Sequence, residues 1–278
     1  SGQTVNVNSG ASVLAVGAAG GGAITIGMGP VQGATTSTKT TVNASSGSVF
    51  DASAVQSGAG GTITLRSDYN NAESLISANG TFFANGGSNG GAGGTISAFF
   101  SSIDLTNSSS SLNSLPGAAA TLIFNSNSLE ITETSTGSGR IRKSDLETIL
   151  NSGRVVTLNA MGSATAPGNI TINASLSKTS DKDSALTLSA KQDIVLNSGF
   201  TIGSTGGGLN VTFNSDSDQN GSGVTRLAGN ISLLGESLAN FKDGLIGIKY
   251  NGYYNDNYAF FSTAITQDDP RFFQPFTA

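Results

Sequence analysis

No cysteine and no histidine occur among the 278 residues. The first absence rules out disulfide staples, a thiol nucleophile and any thiolate metal centre. The second removes the commonest general base and metal ligand. Tryptophan is missing too, and proline occurs only five times, so proline-rich disordered linkers do not account for the chain. Charge is scarce: Asp, Glu, Lys and Arg make up 11% of the residues, against about 25% in ordinary soluble domains. Disorder driven by charge repulsion is therefore excluded. The net charge is −5 and no basic run exceeds Arg140-Ile141-Arg142-Lys143, which denies nucleic acid its electrostatic footprint.

A long hydrophobic helix is absent as well. Residues 12–31, SVLAVGAAGGGAITIGMGPV, are uncharged and have the length of a membrane span. They are mostly Gly and Ala with alternating apolar residues, so they read as paired strands and the chain as not transmembrane. No Lys or Arg precedes them, which argues against a signal peptide. A secretion signal is expected to lie outside these residues or to have been removed.

Glycine is what the chain has in excess, with 38 residues, about twice the usual share. Ser, Thr, Asn and Gly separate short Val/Ile/Leu-rich pieces, the pattern of many brief strands joined by turns. One phrase recurs: glycine, a small or polar residue, then aliphatic residues at alternate positions. It appears as Gly22–Ile26, Gly61–Leu65, Gly94–Ala98, Gly168–Ile172 and Gly229–Leu233. Strand alternation turns Ile24 with Ile26, Ile63 with Leu65, Ile170 with Ile172 and Ile231 with Leu233 to one face, leaving Thr, Ser and Asn to water. Further strands are expected at Ser12–Val16, Ile103–Leu105, Ala120–Phe124, Leu129–Thr132, Val155–Leu158, Ala185–Leu188, Ile194–Leu196 and Leu209–Phe213. Repetition of one phrase indicates a solenoid rather than a sandwich, each coil covering its neighbour's apolar face. The expected class is all-β, a right-handed parallel β-helix, with about 20 residues per coil and roughly a dozen coils.

Ser144-Asp145-Leu146-Glu147-Thr148-Ile149-Leu150 breaks the β texture. Serine followed three residues later by glutamate is a capping box, and Leu146, Ile149 and Leu150 fall on one helical face. One short helix near 144–150 is expected. It divides the chain into N-terminal coils over 1–135, a connector with the helix over 136–154 and C-terminal coils over 155–250. The stretch 251–278 concentrates aromatics, among them Tyr253, Tyr254, Tyr258, Phe260, Phe261, Phe272, Phe273 and Phe276. It reads as a terminal cap on the solenoid core or as an assembly segment.

The order of these pieces, over about residues 20–215, resembles the large exoproteins of two-partner secretion, the filamentous-haemagglutinin type of adhesin. The resemblance runs through Gly22–Ile26, Thr41–Ala44, Ser48–Ala54, Gly60–Asp68, Leu75–Gly80, Gly90–Ser97, Ala119–Thr132, the short helix with Val155–Leu158, and Leu186–Asn197. The family's tryptophan before Ser67-Asp68 and its aspartate-proline turn after Ala120–Phe124 are absent, and its amino-terminal secretion domain is not among these residues. The resemblance implies a right-handed β-helix secreted to the surface of a Gram-negative cell through an outer-membrane transporter partner. It also implies cell adhesion or filament formation, with a host or neighbouring-cell surface, or other copies of the chain, as partner.

Chemistry is sparse. Parallel β-helices also include polysaccharide-cleaving enzymes, which need clustered carboxylates. Gln267-Asp268-Asp269 and Arg140-Ile141-Arg142 resemble glycosidase fragments only in reverse order, and no catalytic residue is assigned. The loop Asp216-Ser217-Asp218-Gln219-Asn220-Gly221 sets Asp216, Asp218 and Asn220 at alternate positions with glycine sixth, like the start of a calcium loop. Leu227 stands where its bidentate glutamate belongs. Calcium at those three residues is the one metal expectation, set against an ordinary polar loop, and Asp181-Lys182-Asp183 reads as a charged turn. Asn-x-Ser/Thr sequons at Asn43, Asn79, Asn107, Asn169, Asn173, Asn210, Asn220 and Asn230 follow from composition, and asparagine ladders are expected at positions such as Asn169 and Asn230. The leading expectation is a structural or adhesive scaffold without catalysis; the alternative is a carbohydrate-binding or carbohydrate-cleaving β-helix.

Overall fold

The computed structural model describes residues 3–29, 37–106, 118–134, 137–164, 166–220 and 222–233, and the backbone of 246–249. The aromatic stretch 251–278 and the Gln267-Asp268-Asp269 group lie outside the described residues. The chain is all-β apart from one helix among those residues, Lys143–Asn151. It divides into two compact units: Ser1–Ser126 with Ser135–Arg140, and Asn127–Thr134 with Ile141–Ala278. Of the expected connector, residues 137–140 therefore belong to the first unit, and the helix belongs to the second.

In the first unit the strands fall into three parallel stacks. Face I holds Gln3–Val7, Thr40–Ala44, Leu75–Ala78 and Ser102–Asp104. Face II holds Ser12–Leu14, Val49–Asp51 and Thr81–Phe83. Face III holds Ala23–Gly27, Thr62–Arg66, Thr95–Phe99 and Thr121–Ser126. The chain visits faces I, II and III in turn and returns to face I one layer on. That winding is a parallel β-helix, and the right hand is the one such crossovers take.

Alternation decides which side chains are covered. Val42, Ile76 and Ile103 stack as one inward column on face I, and Ile24, Ile63 and Leu122 stand in the equivalent column on face III, all at most 5% exposed. On face II, Phe50 and Phe82 are register partners whose rings stack at 4.8 Å and 13°. Each such side chain contributes about 1.5–3 kcal/mol by leaving water. No coil covers its own core, so this stabilisation belongs to neighbouring coils jointly.

The coil is longer than the expected 20 residues. Asn6 and Asn43 are register equivalents 37 residues apart, and Asn173 and Asn197 are 24 apart. Each full coil contains three strands rather than two, so strand spacing underestimated the repeat. The glycine-led phrases are not equivalent positions either. Gly22, Gly61 and Gly94 all introduce face III strands, whereas the phrase at 168–172 enters a face I strand and that at 229–233 a face II strand of the second unit. Glycine is required at Gly61 and Gly94 because backbones of successive coils nearly touch there: a Cβ on Gly61 would lie 1.8 Å from the Gly22 carbonyl oxygen, and one on Gly94 1.9 Å from that of Gly61.

The second unit repeats the plan. Face I holds Leu129–Thr132, Ile170–Ile172, Ile194–Leu196 and Thr225–Leu227. Face II holds Leu176–Lys178, Thr201–Ser204 and Asn230–Leu233. Face III holds Val155–Ala160, Ser184–Ala190, Leu209–Asn214 and Ile246–Lys249. In the first of these coils the helix occupies the face II position, packed on Leu176–Lys178. Its Leu146, Ile149 and Leu150 are buried, as their spacing predicts.

The expected capping box does not form. Arg142 is the N-cap, in extended conformation and without a side-chain cap, because the strand Arg140–Arg142 runs directly into the helix. Ser144 is thereby placed inside the first turn. Glu147 instead accepts the Ser177 N–H at 2.8 Å, and Asn151 Oδ1 accepts those of Thr179 (2.7 Å) and Ser180 (2.9 Å). A helix has no free backbone ladder to offer a strand edge, so its side chains supply the acceptors.

Candidate functional surfaces

The carboxylates of this chain mostly accept backbone N–H groups, within turns or across coils. Asp51 Oδ1 accepts the Ser53 N–H, Asp104 Oδ1 that of Thr106, Asp183 Oδ1 that of Gly208 and Asp193 Oδ1 that of Val224, all within 2.8–3.0 Å. Asp68, 3% exposed, accepts from Thr38 (2.8 Å) through Oδ2 and from Asn70 (3.0 Å) through Oδ1. Asp51, Asp68 and Asp104 thus close Asx turns on the backbone two residues on, whereas Asp183, Asp193 and the second oxygen of Asp68 reach the neighbouring coil. Among the described residues no three His, Cys, Asp or Glu side chains gather into a metal-binding group.

The expected calcium loop takes the same form. Asp216 is 2% exposed with φ 52, and its Oδ1 accepts the Asn220 N–H at 3.0 Å. Asp218 Oδ2 accepts from the Asn220 amide at 2.9 Å and faces the Lys191 ammonium at 3.5 Å. Asn220 Oδ1 accepts the N–H of Ser222 at 2.8 Å. The three side chains are brought together, but as a hydrogen-bonded turn. Leu227 is an inward core residue of Thr225–Leu227, 1% exposed, so its place is set by packing. Asp181, Lys182 and Asp183 form the exposed charged turn expected of them. Arg140-Ile141-Arg142 is a strand whose central Ile141 is buried.

Outward positions of the strands carry columns of Thr, Ser and Asn. On face III of the first unit Thr62, Thr95 and Thr121 are register partners, as are Thr25, Thr64 and Ser97. In the second unit Thr157, Thr187 and Thr212 align on face III. The asparagine ladders lie at Asn6–Asn43, bonded at 2.7 Å, and at Glu130–Asn173–Asn197. Asn169, by contrast, uses Oδ1 on the Asp193 N–H at 3.1 Å and so ties its coil to the backbone of the next.

Two outward features had no motif in the sequence. Arg66 and Phe99 are register partners on face III, with the guanidinium 4.8 Å above the ring centroid, a cation–π pair on the outside of the sheet. Leu14, Val16 and Val55 are 61%, 45% and 56% exposed. Alternation alone identifies the first pair, since Arg66 and Phe99 occupy the polar-face position of their strands. The uncharged segment 12–31 contributes the strands Ser12–Leu14 and Ala23–Gly27, and no helix among the described residues is long and apolar enough to cross a membrane.

Comparison with protein-family models, with curated proteins and with solved structures finds no match to this chain.

Proposed function

We propose that this chain is a structural and adhesive segment of a secreted bacterial surface protein, a β-helical scaffold that presents its outer faces and loops to a host cell, a neighbouring cell or other copies of itself. The observation that carries the reading is the division of labour among polar side chains. Carboxylates, which an enzyme would converge on a substrate, are engaged here by backbone N–H groups, some within turns and some of the neighbouring coil. The outward strand positions carry repeated Thr, Ser and Asn columns at the interstrand spacing, a broad surface rich in hydrogen-bonding groups. The loop tips at 88–90 and 217–220 are exposed, as befits positions that vary without disturbing a stacked core.

Residence at the surface of a Gram-negative cell and passage through an outer-membrane transporter belong to the same proposal and rest on the family resemblance. The competing reading, a carbohydrate-binding or carbohydrate-cleaving β-helix, is separated by incubating the chain with a panel of bacterial and host polysaccharides. The proposal expects no new reducing ends and retention of labelled chain on intact cells. Release of reducing ends, abolished by substituting one carboxylate, would establish the enzyme instead.

A further inference from the structure

Five Asn-Gly pairs occur in the chain, beginning at Asn79, Asn85, Asn89, Asn220 and Asn251. This dipeptide carries a reaction of its own. The glycine amide nitrogen can attack the carboxamide of the preceding asparagine, because no Cβ obstructs its approach and glycine turns freely about φ. Ring closure needs a backbone that can rotate and a carboxamide that can move, so the fold selects which pairs react.

Three of these pairs are held. Asn79 lies between the strands Leu75–Ala78 and Thr81–Phe83, with its N–H on the Ala44 carbonyl at 2.9 Å and its side-chain amide on Ser77 Oγ at 2.8 Å. Gly80 is buried, and a Cβ there would lie 2.5 Å from Ser48 Oγ. Asn85 is 2% exposed, its N–H donates to Ser53 Oγ at 3.0 Å and the Gly86 N–H donates to the Ala118 carbonyl at 3.0 Å. A Cβ on Gly86 would lie 2.2 Å from the Gly91 carbonyl oxygen. The Asn220 carboxamide is tied at both ends, donating to Asp218 at 2.9 Å and accepting the Ser222 N–H at 2.8 Å. Asn251 lies outside the described residues.

Asn89-Gly90 differs from all of these. Both residues are exposed, Gly90 stands at φ 117, and nothing lies within 4 Å of a Cβ placed on it. The loop is anchored by the Asn89 N–H on the Gln56 carbonyl at 2.7 Å and by the Gly58 N–H on the Gly90 carbonyl at 3.1 Å. The reacting nitrogen closes a turn on the Gly87 carbonyl at 3.0 Å. That bond sits at the exposed tip, where water replaces it on local opening.

We propose that Asn89 is a site of spontaneous self-modification whose only co-reactant is water. The Gly90 nitrogen bonds to Asn89 Cγ, the Cγ–Nδ2 bond breaks, and Nδ2 leaves as ammonia with the proton that Gly90 gives up. Water then opens either carbonyl of the cyclic imide, leaving aspartate or isoaspartate. The consequence is electrostatic. Segments 15–22, 52–61 and 84–94 bond to one another across successive coils here and contain no Asp, Glu, Lys or Arg, so the new carboxylate is the first charge on this ridge. The reaction is independent of the adhesive role.

The test is incubation of the whole folded chain in mildly alkaline buffer, followed by unfolding and chymotryptic cleavage after Phe83 and Phe99, which leaves Asn85 and Asn89 in one peptide. Tandem mass spectrometry should place a gain of about 1 Da, the exchange of NH for O, at Asn89 before any gain at Asn79, Asn85 or Asn220. Asn89→Gln should leave that peptide unshifted. Incubation in urea should remove the selectivity, so that the other three asparagines react alongside Asn89. A folded chain that stays unmodified at Asn89, one that reacts first at Asn79, Asn85 or Asn220, or a preference for Asn89 that persists in urea would overturn the assignment.

Discussion

Asn151→Ala isolates the device that ends face II in the second unit. One side-chain oxygen accepts two backbone N–H groups of the adjoining segment, from Thr179 at 2.7 Å and Ser180 at 2.9 Å. Thr179 is exposed and its N–H can return to water, while Ser180 is only half-exposed. A net hydrogen bond contributes about 0.5–1.5 kcal/mol, and the cost is greater where the freed donor stays dry. The two together therefore come to about 1–2 kcal/mol, with the larger part at Ser180. Loss of Leu150, 1% exposed on the same helix, would by comparison cost about 2–5 kcal/mol. Hydrogen–deuterium exchange resolved to single amides is the assay. Since 1.4 kcal/mol is a factor of ten, the Thr179 and Ser180 amides should exchange about 5–30-fold faster in the variant. The Ser177 amide, held by Glu147 at 2.8 Å, should change little. Unaltered exchange at Thr179 and Ser180 would refute the idea that helix side chains substitute for a strand edge.

Other perturbations have equally definite outcomes. Phe50→Ala removes a fully buried ring stacked on Phe82 and should destabilise the first unit by about 3–5 kcal/mol, read as lost amide protection in Val49–Asp51 and Thr81–Phe83 with little change in the second unit. Asn173 donates to Glu130 at 2.7 Å and accepts from Asn197; a double-mutant cycle of Asn173→Ala with Asn197→Ala in chemical denaturation should give a coupling of about 0.5–1 kcal/mol, and additivity would deny the ladder. Burial pushes the Lys178 amine below its ordinary 10.5 despite the opposing pull of Asp183 and Asp181. Between that lowered value and 10.5 the unfolded chain binds more protons than the folded one, so stability should rise with pH across this window. In Lys178→Met, denaturation followed over the same pH range should lose that rise.

Strand alternation made much of the fold legible in advance. Leu129–Thr132 and Ile194–Leu196 lie where their apolar spacing put them, and the helix buries the predicted Leu146, Ile149 and Leu150. What could not be read was which strands share a layer. Gly61 and Gly168 introduce similar phrases, yet one answers a close backbone approach and the other adopts φ 89 at the entry to a different face. Register across 24 or 37 residues is set by side chains meeting between coils, which no local pattern encodes. The same reason hid the buried Lys178, whose amine reaches the Gly207 carbonyl of the next coil. The calcium-like spacing of Asp216, Asp218 and Asn220 is real as geometry: the three side chains meet in one turn, with Asn220 bonded to both aspartates and Lys191 beside Asp218.

Adhesion is tested most directly by retention of beads coated with the whole chain on layers of host cells, on bacterial cells and on chain-coated glass under flow. The account predicts retention on at least one of these surfaces above beads carrying an unrelated β-protein, reduced when the exposed residues 88–90 or 217–220 are replaced by glycine and serine. Beads that wash from all three surfaces as readily as the control would contradict it.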